Sequence, residues 1–177
     1  MVVPWVAVSR LTDFHDTAPF RCGVDSLDHW LAESALGLQA EGKTAVHVAE
    51  SESGQVVGYF ALAPHEPWAV NLPRRVKGNS RDGRMQAILL GKLALDQSFR
   101  GMGFGPFLVL EALRVACAAA DLVGGRAIVV DAQHERVAKF YEEISFLRAG
   151  VFTPLKLYMR VSTARDLLGE FDRGDAD

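Results

Sequence analysis

Apolar and polar positions follow two periods along this chain, and these periods predict both strands and helices. Short runs with alternating apolar positions predict strands, and longer runs with apolar positions three or four apart predict helices. The predicted strands are 6–9, 44–49, 56–62, 87–95, 127–130 and 155–160, and the predicted helices are 25–39, 106–120, 134–143 and 163–171. This order predicts a mixed α/β layer fold.

Local signals at the ends of these elements refine the prediction. Asp25 is placed to cap the first helix, because its carboxylate can accept from the free amides of the first turn. Ser53 and Gly54 form the expected turn of a hairpin, and the glycine pair 124–125 is expected to end the long helix.

Composition narrows the class of protein. The chain has 177 residues, a formal net charge of -3 and two widely separated cysteines, Cys22 and Cys117. We expect a single domain over residues 1–177 with a frayed acidic tail at about 170–177, and no disulfide or metal site. The N-terminus lacks a secretory pattern, and charges interrupt the apolar segment 107–122, so we expect a cytoplasmic protein that does not span a membrane.

A glycine-rich run, Arg100 to Gly105, lies between a predicted strand and a predicted helix that begins near Pro106. Glycine lets the backbone approach a ligand, and the free amides at a helix start favour an anion. The order Arg-x-x-Gly-x-Gly is neither the dinucleotide fingerprint nor an NTP-binding loop.

The connection between Pro64 and Arg84 is long and basic. Its cations are Arg74, Arg75, Lys77, Arg81 and Arg84. A solvated loop and a contact to nucleic-acid phosphates both explain such a cluster.

The glycine run resembles the pyrophosphate loop of the GNAT acetyltransferases. The segments 20–31, 90–96 and 138–143 are similar to the GNAT toxins of bacterial toxin–antitoxin modules, and the similarity extends from about Leu11 to Tyr158. The resemblance implies an α/β (α+β) GNAT fold: a mixed, mostly antiparallel sheet with two splayed central parallel strands, here 89–95 and 127–130, and helices on both faces.

The resemblance also implies a donor site for acetyl-CoA and no metal. The backbone of Leu93, Ala94 and Leu95 is expected to pair with the pantetheine arm like an added strand. The amides expected to hold the pyrophosphate are those of Arg100, Gly101, Met102, Gly103, Phe104 and Gly105.

Tyr141 matches the tyrosine that protonates the departing CoA thiolate in this family. A phenol is protonated at neutral pH, so it can serve as a general acid. The competing interpretation is packing, because Val137, Tyr141 and Ile144 have helical spacing. The family often has a glycine in the turn that follows, and this chain has none at 143–146.

The strand that often supplies a glutamate base in GNAT enzymes has no carboxylate here between Ala87 and Leu93. An α-amine has a pKa of about 7.7 to 8.0, against about 10.4 for lysine, so it needs a base less. This favours the aminoacyl-tRNA that the resemblance implies as acceptor, although Glu50 or Glu66 acting through water stays open.

Further implications concern partners. Candidate tRNA contacts are Arg74, Arg75, Lys77, Arg81, Arg84 and Lys92. The resemblance implies translation block by a toxin, a ribbon-helix-helix antitoxin and a homodimer. Two other functions stay open, namely an acetyltransferase of a small-molecule or protein amine and a non-catalytic acetyl-CoA-binding module. The sequence does not identify the preferred tRNA or amino acid.

Overall fold

A computed structural model describes residues 2–67 and 84–174. Over these residues the strands are β1 Ala7–Arg10, β2 Ala45–Glu50, β3 Val56–His65, β4 Ala87–Leu95, β5 Ala127–Asp131, β6 Leu147–Gly150 and β7 Thr153–Arg160. The helical elements are α1 Asp25–His29, a π-helical turn Trp30–Ser34, α2 Ala35–Ala40, a 3₁₀ turn Gln97–Phe99, α3 Gly105–Val123, α4 Glu135–Glu143 and α5 Val161–Gly174.

The described strands form one sheet in the order β1-β2-β3-β4-β5-β7-β6. The pairs β1/β2, β2/β3, β5/β7 and β6/β7 are antiparallel, whereas β4/β5 is parallel. The predicted mixed and mostly antiparallel sheet with a central parallel pair is therefore confirmed.

Two compact units divide the chain. The first comprises Met1–Ala63 and Gly91–Ala112, and the second comprises Pro64–Leu90 and Leu113–Asp177. In the first unit, Phe20, Leu31, Val46 and Val48 are almost fully buried around Tyr59, whose hydroxyl donates to the carbonyl of Leu27 at 3.0 Å. Burial of these side chains is the main stabilising contribution to this unit.

The second unit has its own apolar core. Met85, just before β4, and Ala87, its first residue, pack with Ala127 and Val129 of β5 and with Tyr158 of β7. The parallel register runs from Ala87 opposite Ala127 to Leu89 opposite Val129 and extends no further. Beyond these pairs, β4 continues to Leu95 and β5 continues to Asp131.

Most predicted boundaries are close to the observed ones, and β4 coincides with its prediction. The cap assigned to Asp25 is wrong: Val24 is the N-cap residue, and no side chain caps this helix. The helix predicted over 25–39 contains the π-helical turn, and β6 was not predicted. Gly124 takes a φ of +83° and donates to the carbonyl of Ala120, which ends α3 as expected.

The C-terminal helix is longer than predicted. Helix α5 continues through 170–174, which the sequence assigns to a tail, and residues 175–177 lie outside the described residues. No helix in the described ranges is long and apolar enough to cross a membrane.

Candidate active site

The glycine run forms a loop that leads from β4 into α3. The Asp96 carboxylate accepts from the amide of Ser98 at 3.0 Å and so caps the 3₁₀ turn. Gly101 and Gly103 then take φ values of +77° and +81°, and nothing lies within 4 Å of where a Cβ would stand on either. These glycines are therefore required by the backbone conformation and not by a close neighbour.

Several amides of this loop have no acceptor among the residues that the structure describes. Within the described part of the chain, these are the amides of Gly101, Gly103, Phe104 and Gly105. The first bond of α3 runs from Leu108 to the carbonyl of Phe104 at 3.2 Å, and a phenylalanine side chain offers no cap. The free amides and the positive end of the helix dipole together suit a phosphate group.

Two of the six amides predicted to hold pyrophosphate have acceptors within the loop itself. The Arg100 amide donates to the carbonyl of Gln97 at 3.1 Å, and the Met102 amide donates to that of Phe99 at 3.4 Å. The amides left for an anion are therefore those of Gly101 and of the consecutive residues 103–105.

Aromatic side chains anchor the base of the loop. The ring of Phe104 meets Trp5 edge-on at 6.5 Å and Phe99 edge-on at 6.3 Å. Trp5 is 6% exposed, and no sequence pattern indicates its part in the loop. These contacts hold Phe104, the last residue before the helix, in a defined position.

The strand predicted to pair with pantetheine ends directly before this loop. Ala94 is buried, and Leu93 and Leu95 are half-buried. The Asp96 amide donates to the carbonyl of Val57 on β3 at 2.8 Å, which keeps this end of β4 in the sheet. Because the parallel register stops at Leu89, the pairing with β5 does not use the edge of Leu93, Ala94 and Leu95. This edge has the backbone groups that an extended ligand arm needs.

Tyr141 lies in α4 of the second unit and is 5% exposed. Its ring meets Phe140 and Phe146 edge-on at 5.2 and 5.3 Å, so the predicted packing contacts exist. Its hydroxyl has no hydrogen-bond partner among the described residues, and burial raises the pKa of the phenol. Tyr141 is therefore a protonated donor whose proton is not committed to any other group in the described part of the chain.

The turn after Tyr141 is built on a serine. Ser145 takes a φ of +76°, while the Phe146 amide donates to the Tyr141 carbonyl and the Ser145 amide donates to that of Glu142, both at 3.0 Å. This is the Schellman arrangement, in which glycine is the usual residue. The missing glycine thus leaves the geometry of the helix end intact.

Glu50 and Glu66, the two carboxylates that could act as bases through water, both have side-chain partners. Glu50 accepts from Ser9 at 3.3 Å and lies 3.3 Å from His15, and Glu66 accepts from Gln86 at 3.0 Å and from Arg84 at 3.2 Å.

A histidine that sequence reasoning does not identify ends β3. The Nε2 of His65 is buried without a hydrogen-bond partner among the described residues. Burial and the nearby Lys156 lower the pKa of His65, which Asp131 only partly offsets. No sequence pattern marks it, because its burial is set by the tertiary structure.

The predicted tRNA contacts are only partly described. Arg74, Arg75, Lys77 and Arg81 lie outside the described residues. Arg84 is exposed and forms an ion pair with Glu66. The Lys92 ammonium stands 4.9 Å from the centroid of the Trp30 ring, which stacks on Tyr59 at 5.9 Å. Among the described residues, no cluster of three or more histidine, cysteine or carboxylate side chains is placed to hold a metal ion.

Comparison with known proteins gives relatives of nearly the same length. A tRNA-acetylating toxin of Mycobacterium tuberculosis is 35% identical over 93% of this chain and 97% of its own. A probable toxin TacT of Sinorhizobium fredii is 26% identical over 88% and 90%. No family model matches the chain.

Solved structures share the fold. AtaT complexed with acetyl-methionyl-tRNAfMet superposes with a TM-score of 0.82 at 23% identity, covering 91% of this chain and 98% of that one. A tyrosine-to-phenylalanine variant of AtaT bound to the C-terminus of the antitoxin AtaR gives a TM-score of 0.76 at 24% identity, covering 91% and 96%. With this fold and the 35% identity over nearly its whole length, the chain belongs to the tRNA-acetylating toxins of the GNAT superfamily.

Proposed function

We propose that this protein transfers the acetyl group of acetyl-CoA to the α-amine of aminoacyl-tRNA and thereby blocks translation. Family membership is the observation that carries this proposal. N-acetylation removes the nucleophile that forms the next peptide bond, so each modified aminoacyl-tRNA is lost to elongation.

The donor is held by backbone groups in this proposal. The amides of Gly101, Gly103, Phe104 and Gly105 bind the pyrophosphate, and the edge of Leu93, Ala94 and Leu95 pairs with the pantetheine arm. Two observations on the described residues support this assignment: four amides have no acceptor there, and the pairing of β4 with β5 stops at Leu89.

The transfer itself requires an acid more than a base. The neutral amine attacks the thioester carbonyl, a C–N bond forms, and strand amides near Leu93 stabilise the oxyanion. The C–S bond then breaks as Tyr141 donates its proton to the sulfur. The amine releases a proton to solvent, and the phenolate is reprotonated from solvent.

Partners and location follow from the same family membership. Lys92 and the five cations of the basic connection, Arg74, Arg75, Lys77, Arg81 and Arg84, contact tRNA phosphates in this proposal. We also propose a ribbon-helix-helix antitoxin, a homodimer and a cytoplasmic location, where both substrates are found. The single-domain organisation likewise stays a prediction.

The test is transfer of labelled acetyl from acetyl-CoA to total charged tRNA. We expect label on charged tRNA, none on deacylated tRNA, and loss of label in Tyr141→Phe. If acetyl-CoA binds but no tRNA is labelled, the proposal is wrong, and the protein either acetylates another amine or binds acetyl-CoA without catalysis.

A further inference from the structure

The side chain of Arg100, the first residue of the glycine run, lies on the peptide between Cys22 and Gly23. Its Nη2 donates to the Cys22 carbonyl. A Cβ on Gly23 would stand 2.9 Å from Nη2 and 3.3 Å from Nη1, so a side chain at this position would displace the guanidinium. Gly23 also takes a φ of +82°. Its backbone conformation therefore requires glycine, and the absence of a side chain also leaves space for the guanidinium beside it.

Further hydrogen bonds join the same two segments. The Gln97 amide donates to the Arg21 carbonyl at 2.7 Å, and the Arg21 amide donates to the Asp96 carboxylate at 3.1 Å. The Cys22 amide in turn donates to Asp28 at 2.8 Å. Asp28 and Asp96 are 8% and 6% exposed, so both carboxylates rely on these partners in place of water.

We propose that Arg100 is a positioning residue for the donor site, a role that rests on the proposed binding of acetyl-CoA. Its guanidinium clamps the start of the glycine run onto the Cys22–Gly23 peptide, and phosphate binding is left to the amides of the residues that follow. The clamp acts one residue before Gly101, where the loop turns into its left-handed conformation.

In this proposal, the segment 20–28 supports the donor site, because it provides the peptide that Arg100 binds. The segment contains Gly23, which makes room for the guanidinium, and Asp28, which holds the Cys22 amide. It belongs to the donor site although it contributes no proposed ligand to the donor.

The test is a double-mutant cycle on Arg100→Ala and Gly23→Ala, read as the Kd of CoA by calorimetry. Gly42→Ala is the matched control, because Gly42 also has a positive φ, +73°, but nothing within 4 Å of its Cβ position. Thermal unfolding of each variant checks that it is folded, and the measurement needs no tRNA.

We expect each site variant to raise the Kd about tenfold, as the loss of one charged hydrogen bond implies. The control is expected to leave the Kd unchanged. The double variant is expected to bind CoA within about twofold of Arg100→Ala alone, because non-additivity identifies residues in contact. Arg100→Gln, which keeps a donor for the Cys22 carbonyl, is expected to restore most of the affinity.

Salt dependence separates a clamp from a direct phosphate ligand. A guanidinium on the phosphates makes CoA affinity more sensitive to ionic strength, whereas a clamp does not. The inference is overturned if Arg100→Ala flattens the salt dependence, or if the two substitutions are additive. Failure of the native chain to bind CoA would instead refute the proposed function itself.

Discussion

The hydroxyl of Tyr141 has the properties that an acid for a thiolate requires. The Tyr141 ring packs against two other aromatic rings, while the hydroxyl has no acceptor among the described residues and its pKa is raised by burial. A phenol in this state remains protonated through the neutral range and beyond. Packing and catalysis are therefore compatible at this residue, because the ring makes the packing contacts and the hydroxyl is free to act as the acid.

Tyr141→Phe should remove the acid and preserve the packing of the ring. We expect kcat to fall by about 10² to 10⁴, the usual contribution of general acid catalysis, with little change in the KM for acetyl-CoA. Steady-state kinetics with charged tRNA measure both constants.

Tyr59→Phe is the matched control for this substitution. It removes a buried hydroxyl that donates to Leu27, and we expect it to cost about 1 kcal/mol of stability without lowering kcat. Equal losses of kcat in the two variants would contradict a catalytic role for Tyr141.

The pH dependence of kcat/KM should reflect the substrate amine and not a protein base. We expect the rate to rise through the amine pKa, about 7 to 8, and to show no falling limb below about pH 10, the ordinary pKa of tyrosine. The falling limb is absent from this range because burial raises the pKa of Tyr141, so the phenol keeps its proton to higher pH.

His65→Gln tests the alternative that this histidine, whose Nε2 is buried, accepts the proton from the amine. Burial is the main cause of its lowered pKa, the nearby Lys156 lowers the pKa further, and Asp131 raises it. We expect the rising limb to persist in His65→Gln with a rate close to native. A lost rate together with a lost limb would make His65 the base.

The end of α4 is the element that carries Tyr141, and its left-handed residue is not a glycine. Ser145 has a φ of +76°. A side chain in this conformation costs about 1 kcal/mol relative to glycine, which adopts it freely. The bonds to the carbonyls of Tyr141 and Glu142 offset this cost.

Ser145→Gly should therefore stabilise the protein by about 0.5 to 1 kcal/mol. Chemical denaturation gives the free energy of unfolding, and kcat should stay near native because the Schellman bonds are retained. A less stable variant would show that the serine side chain contributes more than its backbone strain costs.

The turn between β4 and α3 depends on a buried carboxylate. Burial opposes the charge of Asp96, but donors on Ser98 and Arg21 outweigh it and lower its pKa. Asp96→Asn would replace one acceptor with an amide donor facing these amides. We expect a loss of about 1 to 3 kcal/mol at pH 7.

The pH dependence of this loss follows from the lowered pKa. The stabilisation by Asp96 is fully present above the unfolded pKa, about 3.9, and it is lost as pH falls through the lower folded pKa. Denaturation of native and variant proteins at pH 7 and below pH 3 measures it. A difference that stays constant over this range would contradict the role of the ionised carboxylate.

Sequence patterns predict the elements of this site better than its contacts. β4 and the glycine loop follow from local periodicity and from the φ values that glycine permits. β6 is only four residues long with one buried position, so it leaves no periodic signal. The contacts of Arg21 with Asp96 and of Arg100 with Cys22 join residues 75 and 78 positions apart, which only the folded chain brings together.

At the scale of the whole molecule, charge is unevenly distributed. The chain has a net charge of -3, yet the connection before β4 concentrates arginine and lysine. An acidic protein that binds tRNA needs such a local cluster, because phosphate contacts supply most of the affinity and make it salt-dependent.

Changing Arg74, Arg75, Lys77 and Arg81 together to glutamine should therefore weaken tRNA binding and leave CoA binding unchanged. We expect the slope of log affinity against log salt to fall by about 0.7 to 0.9 for each phosphate that the variant no longer neutralises. Filter binding across a salt series measures it. The control changes four exposed cations elsewhere, Lys43, Arg136, Arg160 and Arg173, by the same total charge. If both variants lose affinity equally, net charge and not the basic connection determines tRNA binding, and the proposed contact is wrong.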